Sequence, residues 1–529
     1  MATEVKITRW GIFPRVSRPV FILSVSVIGL FIAYGAAFTE SAEAFFGDLQ
    51  DAIVVSLGWY YTLVVTFFLG FVIWLLFSRF GDVRLGDPDE QPRYSYMGWF
   101  AMLFSAGMGI GLLFWSVAEP ISHYMDPPVG QGEELGAAEV AMRTTFFHWG
   151  LHAWAIYIVV GLSLAYFGFR QKLPLSIRST FYPILGDAIY GWPGHVIDTL
   201  AVFGTMFGVA TSLGLGVIQV NAGLNFLFGV EKGAPIQLLL IAVITLFATG
   251  SVLLGLNKGI KRLSQLNIWL SGLLLTVLLV LGPTAFILDM FVESTGRYLQ
   301  NLVQMSLWTD ALRSTGWSGD WTIFYWGWWI AWSPFVGMFI ARVSRGRTIR
   351  EFIIGVLFAP TLATFVWLSI FGGTALNLEL FHGGGIAAAV DDDVATALYV
   401  TLEGIPLSQL TAAVATLVVA TYFVTSSDSG SLVIDMLTAG GDPDPPKIQR
   451  LFWAVLEGVV AAILLVAGGL TALQTAAISS GLPFSLIMVV MCYALVKGLR
   501  SEPIYPSPAE REPEAPRSTM GDTDYEHME

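Results

Sequence analysis

Only one cysteine, Cys492, occurs in the 529 residues of this chain, which excludes an intramolecular disulfide framework and a thiolate metal cluster. Charge is scarce too. Asp, Glu, Lys and Arg make up 13% of the chain, against roughly a quarter in an ordinary soluble domain, and that shortage argues against a soluble enzyme. The charge that remains is acidic, with 27 Lys and Arg against 40 Asp and Glu for a net charge of -13. The basic surface that a phosphate backbone attracts is therefore missing, and nucleic acid is set aside as a partner. No phosphate-cradling Gly-x-x-x-x-Gly-Lys loop occurs, which argues against a nucleotide-driven motor. What the chain does have is 55% hydrophobic residues, 18 Trp, 37 Phe and 55 Gly, the composition of helices packed closely in lipid.

A helix crossing a bilayer needs about 20 mostly apolar residues. Runs of that length begin near positions 20, 56, 97, 141, 196, 236, 267, 322, 351, 407, 451 and 473, predicting an all-α integral membrane protein of about twelve transmembrane helices. The first run is long, lacks a small-residue cleavage site and leads directly into the second, so it reads as a span rather than a signal peptide. Lys and Arg fall in alternate loops, for example Arg79, Arg84 and Arg93, then Arg170, Lys172 and Arg178, then Arg342, Arg345, Arg347 and Arg350. The opposite loops hold only Arg143, Lys232, Arg297 and Arg313. Positive residues are retained on the cytoplasmic side, which predicts a multi-pass plasma-membrane protein with both termini cytoplasmic.

The expected organisation is a cytoplasmic segment over 1–19 and two helices with a cytoplasmic loop over 20–94. Five-helix sets over 95–292 and 322–500 follow, joined by an external segment over 293–321. Residues 501–529 are proline-rich and acidic without apolar periodicity, and are expected to be disordered.

Two spans carry residues that interrupt a helix. The third contains Gly107, Gly109 and Gly111, each glycine weakening a helix by about 1 kcal/mol. The eighth contains Pro334, which lacks a backbone donor. Each segment opens one of the two five-helix sets, and interruptions at matching places in two halves point to the central site of a transporter. Close packing through glycine and an ordinary proline kink are the alternative readings.

The fourth span holds Trp149, Trp154 and Tyr157, and the eighth holds Trp328, Trp329 and Trp332. Trp154 and Tyr157 share a helix face, as do Trp329 and Trp332. Converging rings in a dry pocket bind a quaternary ammonium by cation–π attraction of about 2 kcal/mol or more; single tryptophans equally serve as interfacial anchors. His148 and His152 flank Trp149 and read as structural histidines or as a proton relay. The tenth span runs through Phe423, Thr425, Ser426, Ser427 and Asp428. Its hydroxyl and carbonyl oxygens suit a small hard cation such as sodium, or bond back to the preceding turn. Asp428 and Glu457 lie within spans, where an acid is a functional candidate by default.

Taken together these residues resemble the betaine/carnitine/choline transporters. The most specific match is DWTIFYWGWWIAWSPF at 320–335, continuing through RVSRGRTIREF at 342–352. Gly107 to Gly111 leading to Ala118-Glu119-Pro120, and Trp149 to Tyr157, support it. The resemblance implies a leucine-transporter-like fold, with two inverted five-helix repeats after two extra helices, and a homotrimer. It implies a substrate path through Trp149, Trp154, Tyr157, Trp328, Trp329 and Trp332, with the Gly107, Met108 and Gly109 backbone facing the substrate carboxylate. One implied sodium set comprises Ser105 or Ala106, Met108, Phe423, Ser426 and Ser427, with Thr425 adjacent; a second lies near Thr205, Phe335 and the Ser426-Ser427 pair. Val209 stands where sodium-coupled relatives place another hydroxyl, leaving that second set one ligand short.

Within that resemblance, Gly111, where proton-coupled choline carriers have Asp, and the absence of the fifth-span arginine of sodium-independent carnitine exchangers between 196 and 221 imply a sodium-driven symporter for glycine betaine or a similar trimethylammonium solute, used in osmotic balance. A proton-coupled choline carrier and a sodium-independent carnitine carrier are the nearest alternatives; a channel or a membrane sensor is the reading from another class. Sodium is the coupling ion and no other cofactor is implied; the partners are the solute and membrane lipid.

Overall fold

The computed structural model describes residues 4–107, 109–253, 257–313 and 315–502, with the backbone alone at 104–107, 251–253 and 257–261. Beyond Glu502, the tail expected to be disordered lies outside the described residues. The chain opens with an antiparallel hairpin, β1 (Thr8–Trp10) and β2 (Phe13–Val16), the only sheet among the described residues. Ser17 and the following proline then start α1 (Arg18–Ala37), the fixed φ of proline suiting a first helical turn.

Long helices follow: α2 (Thr39–Phe77), α3 (Tyr96–Gly107), α4 (Ile110–Met125), α5 (Leu135–Trp149) and α6 (Leu151–Ala165). A short α7 (Tyr182–Leu185) precedes α8 (Trp192–Phe228), α9 (Ala234–Leu253), α10 (Asn257–Leu281) and α11 (Thr284–Ser306). The rest of the chain forms α12 (Phe324–Val343), α13 (Ile349–His382), the short α14 (Ile386–Asp392) and α15 (Ala397–Glu403), then α16 (Ser408–Thr438), α17 (Lys447–Val466) and α18 (Gly469–Leu499). Ten helical stretches among the described residues are long and apolar enough to cross a bilayer. The other two of the twelve expected runs fall on the α3–α4 pair and on α9. The segment expected as an external connection is largely helical, because α11 starts at Thr284 and reaches Ser306.

Packing partners recur between the two halves of the chain. Helix α4 packs on α13 as α12 packs on α6; α8 packs on α18 as α16 packs on α10; and α8 meets α17 as α16 meets α9. The centre belongs to α5, α6 and α12, whose most apolar windows are 100% buried in Leu135–Arg170 and 94% in Gly319–Val343. The corresponding windows of α1 and α10 are only 28% and 22% buried. Their outward faces present large apolar side chains such as Leu30, Trp269 and Val280, surface that lipid covers.

The expected break in the third span is present. Helix α3 ends at Gly107 and α4 starts at Ile110, with Gly109 extended at φ -157° and ψ -166°. The expected interruption at Pro334 is not: α12 runs unbroken through it. The proline removes the N–H that would reach Ile330 O, and the Ser333 hydroxyl donates to that carbonyl instead at 2.7 Å, a known way for a membrane helix to tolerate proline. A break that hydropathy does not announce falls in the fourth span at Gly150, between α5 and α6. A side chain there would come within 2.5 Å of Phe146 O and 3.0 Å of the Tyr298 hydroxyl. That hydroxyl accepts the Leu151 N–H at 3.2 Å, pairing an amide that the break would otherwise strand.

Candidate functional site

The Gly150 break sets Trp149 at the end of α5 and Trp154 and Tyr157 on the first turns of α6, all facing α12. Trp329 is the centre of the resulting cluster. Its ring centroid lies 4.8 Å from Trp149, 4.8 Å from Trp328 and 6.2 Å from Tyr157, and Trp154 joins through Tyr157 at 5.5 Å. These separations lie within the range of favourable ring pairs. Every one of these rings is buried, so none is an interfacial anchor. Trp332, one turn further along α12, is turned away: its indole N–H donates to Gly208 O at 2.7 Å and its ring packs on Phe335. A side chain at Gly208 would come within 2.7 Å of that indole.

Two indoles of the cluster are anchored by polar partners. Trp329 Nε1 donates to His148 O at 2.9 Å. Trp149 Nε1 donates to Glu119 Oε2 at 2.7 Å, and the Tyr325 hydroxyl donates to the same oxygen at 2.5 Å. The other oxygen of Glu119 receives His148 Nδ1 at 2.7 Å and His123 Nε2 at 3.3 Å. With Nδ1 donating, His148 Nε2 accepts from the Thr322 hydroxyl at 3.0 Å. Glu119 is thus a fully buried hub that orients two rings of the cluster, and both it and Tyr325 went unassigned on sequence grounds. The signal was present, since Glu119 is an acid inside an apolar run. His152 is tied instead to Ser306 at 2.9 Å, which fits the structural reading of that residue. The indole N–H of Trp328 is buried without a partner among the described residues.

Open volume flanks the cluster on both sides. Towards the acidic loops lies a vestibule of about 500 Å³, bordered by Trp115, Trp321, Asp51, Asp320 and Asp391. Towards the arginine-rich loops lies a cavity of about 130 Å³ between α10, α12 and α16, bordered by Asn267, Trp332, Phe335, Tyr422, Thr425 and Ser426. Rings continue from Trp321, just before α12, to Tyr325, Trp328 and Trp329 on it, with Trp115 bridging Trp321 and Tyr325 at 5.4 and 6.2 Å. The broken third span touches this row. A side chain at Gly111 would come within 2.3 Å of Trp328, and one at Gly109 would lie 3.8 Å from Trp332.

Comparison with known proteins gives this arrangement its setting. Residues 19–504 match the family model described as BCCT, betaine/carnitine/choline family transporter. The chain belongs to the betaine/carnitine/choline transporter family. It is 51% identical over 486 residues to a transporter of Mycobacterium tuberculosis, covering 90% of this chain and 82% of that protein. It is 48% identical over 490 residues to the glycine betaine transporter of Acinetobacter baylyi, covering 92% and 74%. It is 47% identical over 486 residues to the glycine betaine transporter OpuD of Bacillus subtilis, covering 91% and 94%. Membership of the betaine/carnitine/choline family makes the chain a multi-pass membrane transporter rather than an enzyme.

The ion positions implied by the family resemblance are brought together unequally. Met108 lies outside the described residues, and Ser105, Ala106 and Gly107 are described by their backbone alone. Helix α4, which starts at the break, packs on α16, and the last carbonyls of a helix such as α3 carry partial negative charge. On α16, Thr425 and Ser426 border the inner cavity, Phe423 is buried, and the Ser427 hydroxyl donates to Glu457 Oε2 at 3.1 Å. These oxygens fit a small hard cation. In the set around Thr205 the hydroxyl donates to Ala201 O of its own helix at 2.9 Å, as the Thr425 hydroxyl donates to Thr421 O at 3.2 Å, so each keeps its oxygen as an acceptor. Phe335 borders the cavity, and Val209 offers only methyl groups towards Gly430.

Proposed function

We propose that the protein is a secondary-active symporter that imports glycine betaine or a similar trimethylammonium solute by alternating access, driven by the sodium gradient and serving osmotic balance. The observation that carries this reading is the convergence of Trp149, Tyr157, Trp328 and Trp329 in one buried cluster. A quaternary ammonium needs no hydrogen-bond acceptor, and desolvated ring faces attract it without a buried carboxylate in contact. The names of the Acinetobacter and Bacillus relatives support betaine as the solute. The unpartnered Trp328 N–H and the amides at the start of α4 supply donors for a carboxylate, since a helix N-terminus favours anions.

The vestibule and the inner cavity are the two approaches to this cluster, and the rings between them form the thin gate of each alternate state. Sodium binds the Ser426-Ser427 turn against the end of α3 and orders the broken span, so that solute and ion bind together. Gly111 supports this over a proton-coupled reading, because an acidic side chain at that position collides with Trp328 where it now lies. On this reading the two inverted repeats span 95–292 and 322–500, both termini are cytoplasmic, and three copies assemble in the plasma membrane.

Competition against labelled betaine on the purified protein tests the reading. Trimethylammonium solutes are expected to compete. The carbon isostere of betaine, with a tert-butyl group in place of the trimethylammonium, is expected not to. Equal competition by the uncharged head would refute recognition by cation–π attraction.

A further inference from the structure

Glu457 lies in the middle of α17 with no exposure at all, in a span where an isolated carboxylate is costly. Its Oε2 accepts from the Ser427 hydroxyl at 3.1 Å, and its Oε1 has no partner among the described residues. The space it occupies exists because residue 430 has no side chain: a Cβ at Gly430 would sit 3.0 Å from Oε1 and 2.9 Å from Val209 Cγ2. The α8 residue that borders Gly430 is Val209, which offers only methyl groups there. Arg450, the cation nearby, is engaged elsewhere; its guanidinium pairs with the Asp428 carboxylate and donates to Asp428 O at 3.1 and 3.3 Å. Asp428 and Glu457 thus have one guanidinium between them, and the buried Asp435 two turns along α16 adds a third acid; with these acids ionised the region is short of positive charge, an arrangement that is expensive unless a counter-ion completes it.

Ser427 connects this deficit to the adjacent turn. A hydroxyl offers one proton and two lone pairs. With its proton committed to Glu457, the oxygen can meet anything further only as an acceptor, and a carboxylate behind a ligand makes that ligand a better donor to a cation. We infer that Glu457 is a positioning residue for the coupling ion: it fixes the Ser427 hydroxyl as an acceptor and supplies the negative charge that holds a sodium ion at the Ser426-Ser427 turn. The inference rests on the sodium-coupled reading and extends it to α17, a helix that the family resemblance leaves outside the ion site.

The test titrates NaCl against KCl at constant ionic strength on full-length protein, reading both bound labelled betaine and the thermal midpoint. Wild-type protein is expected to gain both as sodium rises. Glu457→Gln keeps the volume and an acceptor for Ser427 but removes the charge, and its sodium midpoint should rise about 10–100-fold in both readings. Betaine affinity at saturating sodium should stay unchanged. Ser427→Ala cuts the link through the hydroxyl but leaves the charge, so adding Glu457→Gln to it should shift the midpoint by less than it does in wild type; fully additive shifts would overturn the inference. A sodium midpoint for Glu457→Gln equal to that of wild type overturns it while leaving sodium coupling intact. A wild-type protein indifferent to sodium overturns the coupling and the inference together. Glu457→Asp keeps the charge but withdraws it by a methylene. An intermediate midpoint is expected for it, and a wild-type value again counts against the role, even if the Gln variant does not fold.

Discussion

Replacing Trp329 by Leu should remove the centre of the aromatic cluster while leaving the fold assembled. Trp329 is the one ring within about 6 Å of Trp149, Tyr157, Tyr325 and Trp328 together. One desolvated cation–π contact is worth about 2 kcal/mol, which corresponds to a roughly 30-fold rise in Kd for betaine. Stability falls for separate reasons. Each lost ring pair costs about 0.5–1.5 kcal/mol, and the His148 carbonyl loses its indole donor at about 1–3 kcal/mol for a buried group left unpaired. Trp329→Phe separates the two effects, since it keeps an aromatic face but not the N–H. Equilibrium binding of labelled betaine in saturating sodium, alongside a thermal melt of each variant, reads both quantities. The expected order of Kd is wild type, then Phe, then Leu. A Leu variant that melts lower yet binds betaine within about threefold of wild type would refute the cluster as the solute site, because that gap is well below one cation–π contact.

Glu119→Gln turns an amide N–H2 towards one of two donor pairs, Trp149 with Tyr325 or His148 with His123, and so either strands a donor or forces both imidazoles to change tautomer; betaine affinity should fall about tenfold, read by the same binding assay, consistent with the 1–3 kcal/mol cost of an orphaned buried donor. Gly111→Ala places a methyl group 2.3 Å from Trp328, and the repacking should lower stability by about 1–3 kcal/mol with a matching loss of binding, seen in a thermal melt with and without betaine. Wild-type uptake should follow sodium with a Hill coefficient near 1, because the Thr205 set is one hydroxyl short; Val209→Thr, nearly equal in volume, should raise it if that set is completed.

Most of the architecture is legible in the hydropathy, because a bilayer leaves few solutions: each of the twelve apolar runs falls on helix, and the alternating glycines at 107–111 do interrupt the third span. Two backbone features were not readable that way. Pro334 leaves α12 intact because a neighbouring serine replaces the missing donor. Gly150 breaks the fourth span although it is a single glycine in an apolar run, at a position where Phe146 O and Tyr298 from another helix leave no room for a side chain. Both outcomes depend on partners that are distant in sequence or on the rotamer of one hydroxyl. The rings of the aromatic cluster could be picked out by type and spacing, yet the separation of Trp332 from the others follows from its bond to Gly208 on α8. Glu119 shows a different limit: the rule that singles out Asp428 and Glu457 applies equally to it, but its importance comes from four donors on three helices that only the fold assembles.

The central claim is that sodium drives a trimethylammonium solute through this cluster, and uptake of labelled betaine by the purified protein in sealed liposomes addresses it most directly. An inward sodium gradient should accumulate betaine above the external concentration, and dissipating that gradient with a sodium ionophore should release it. Betaine uptake that is unchanged when sodium is replaced by potassium on both sides would contradict the account.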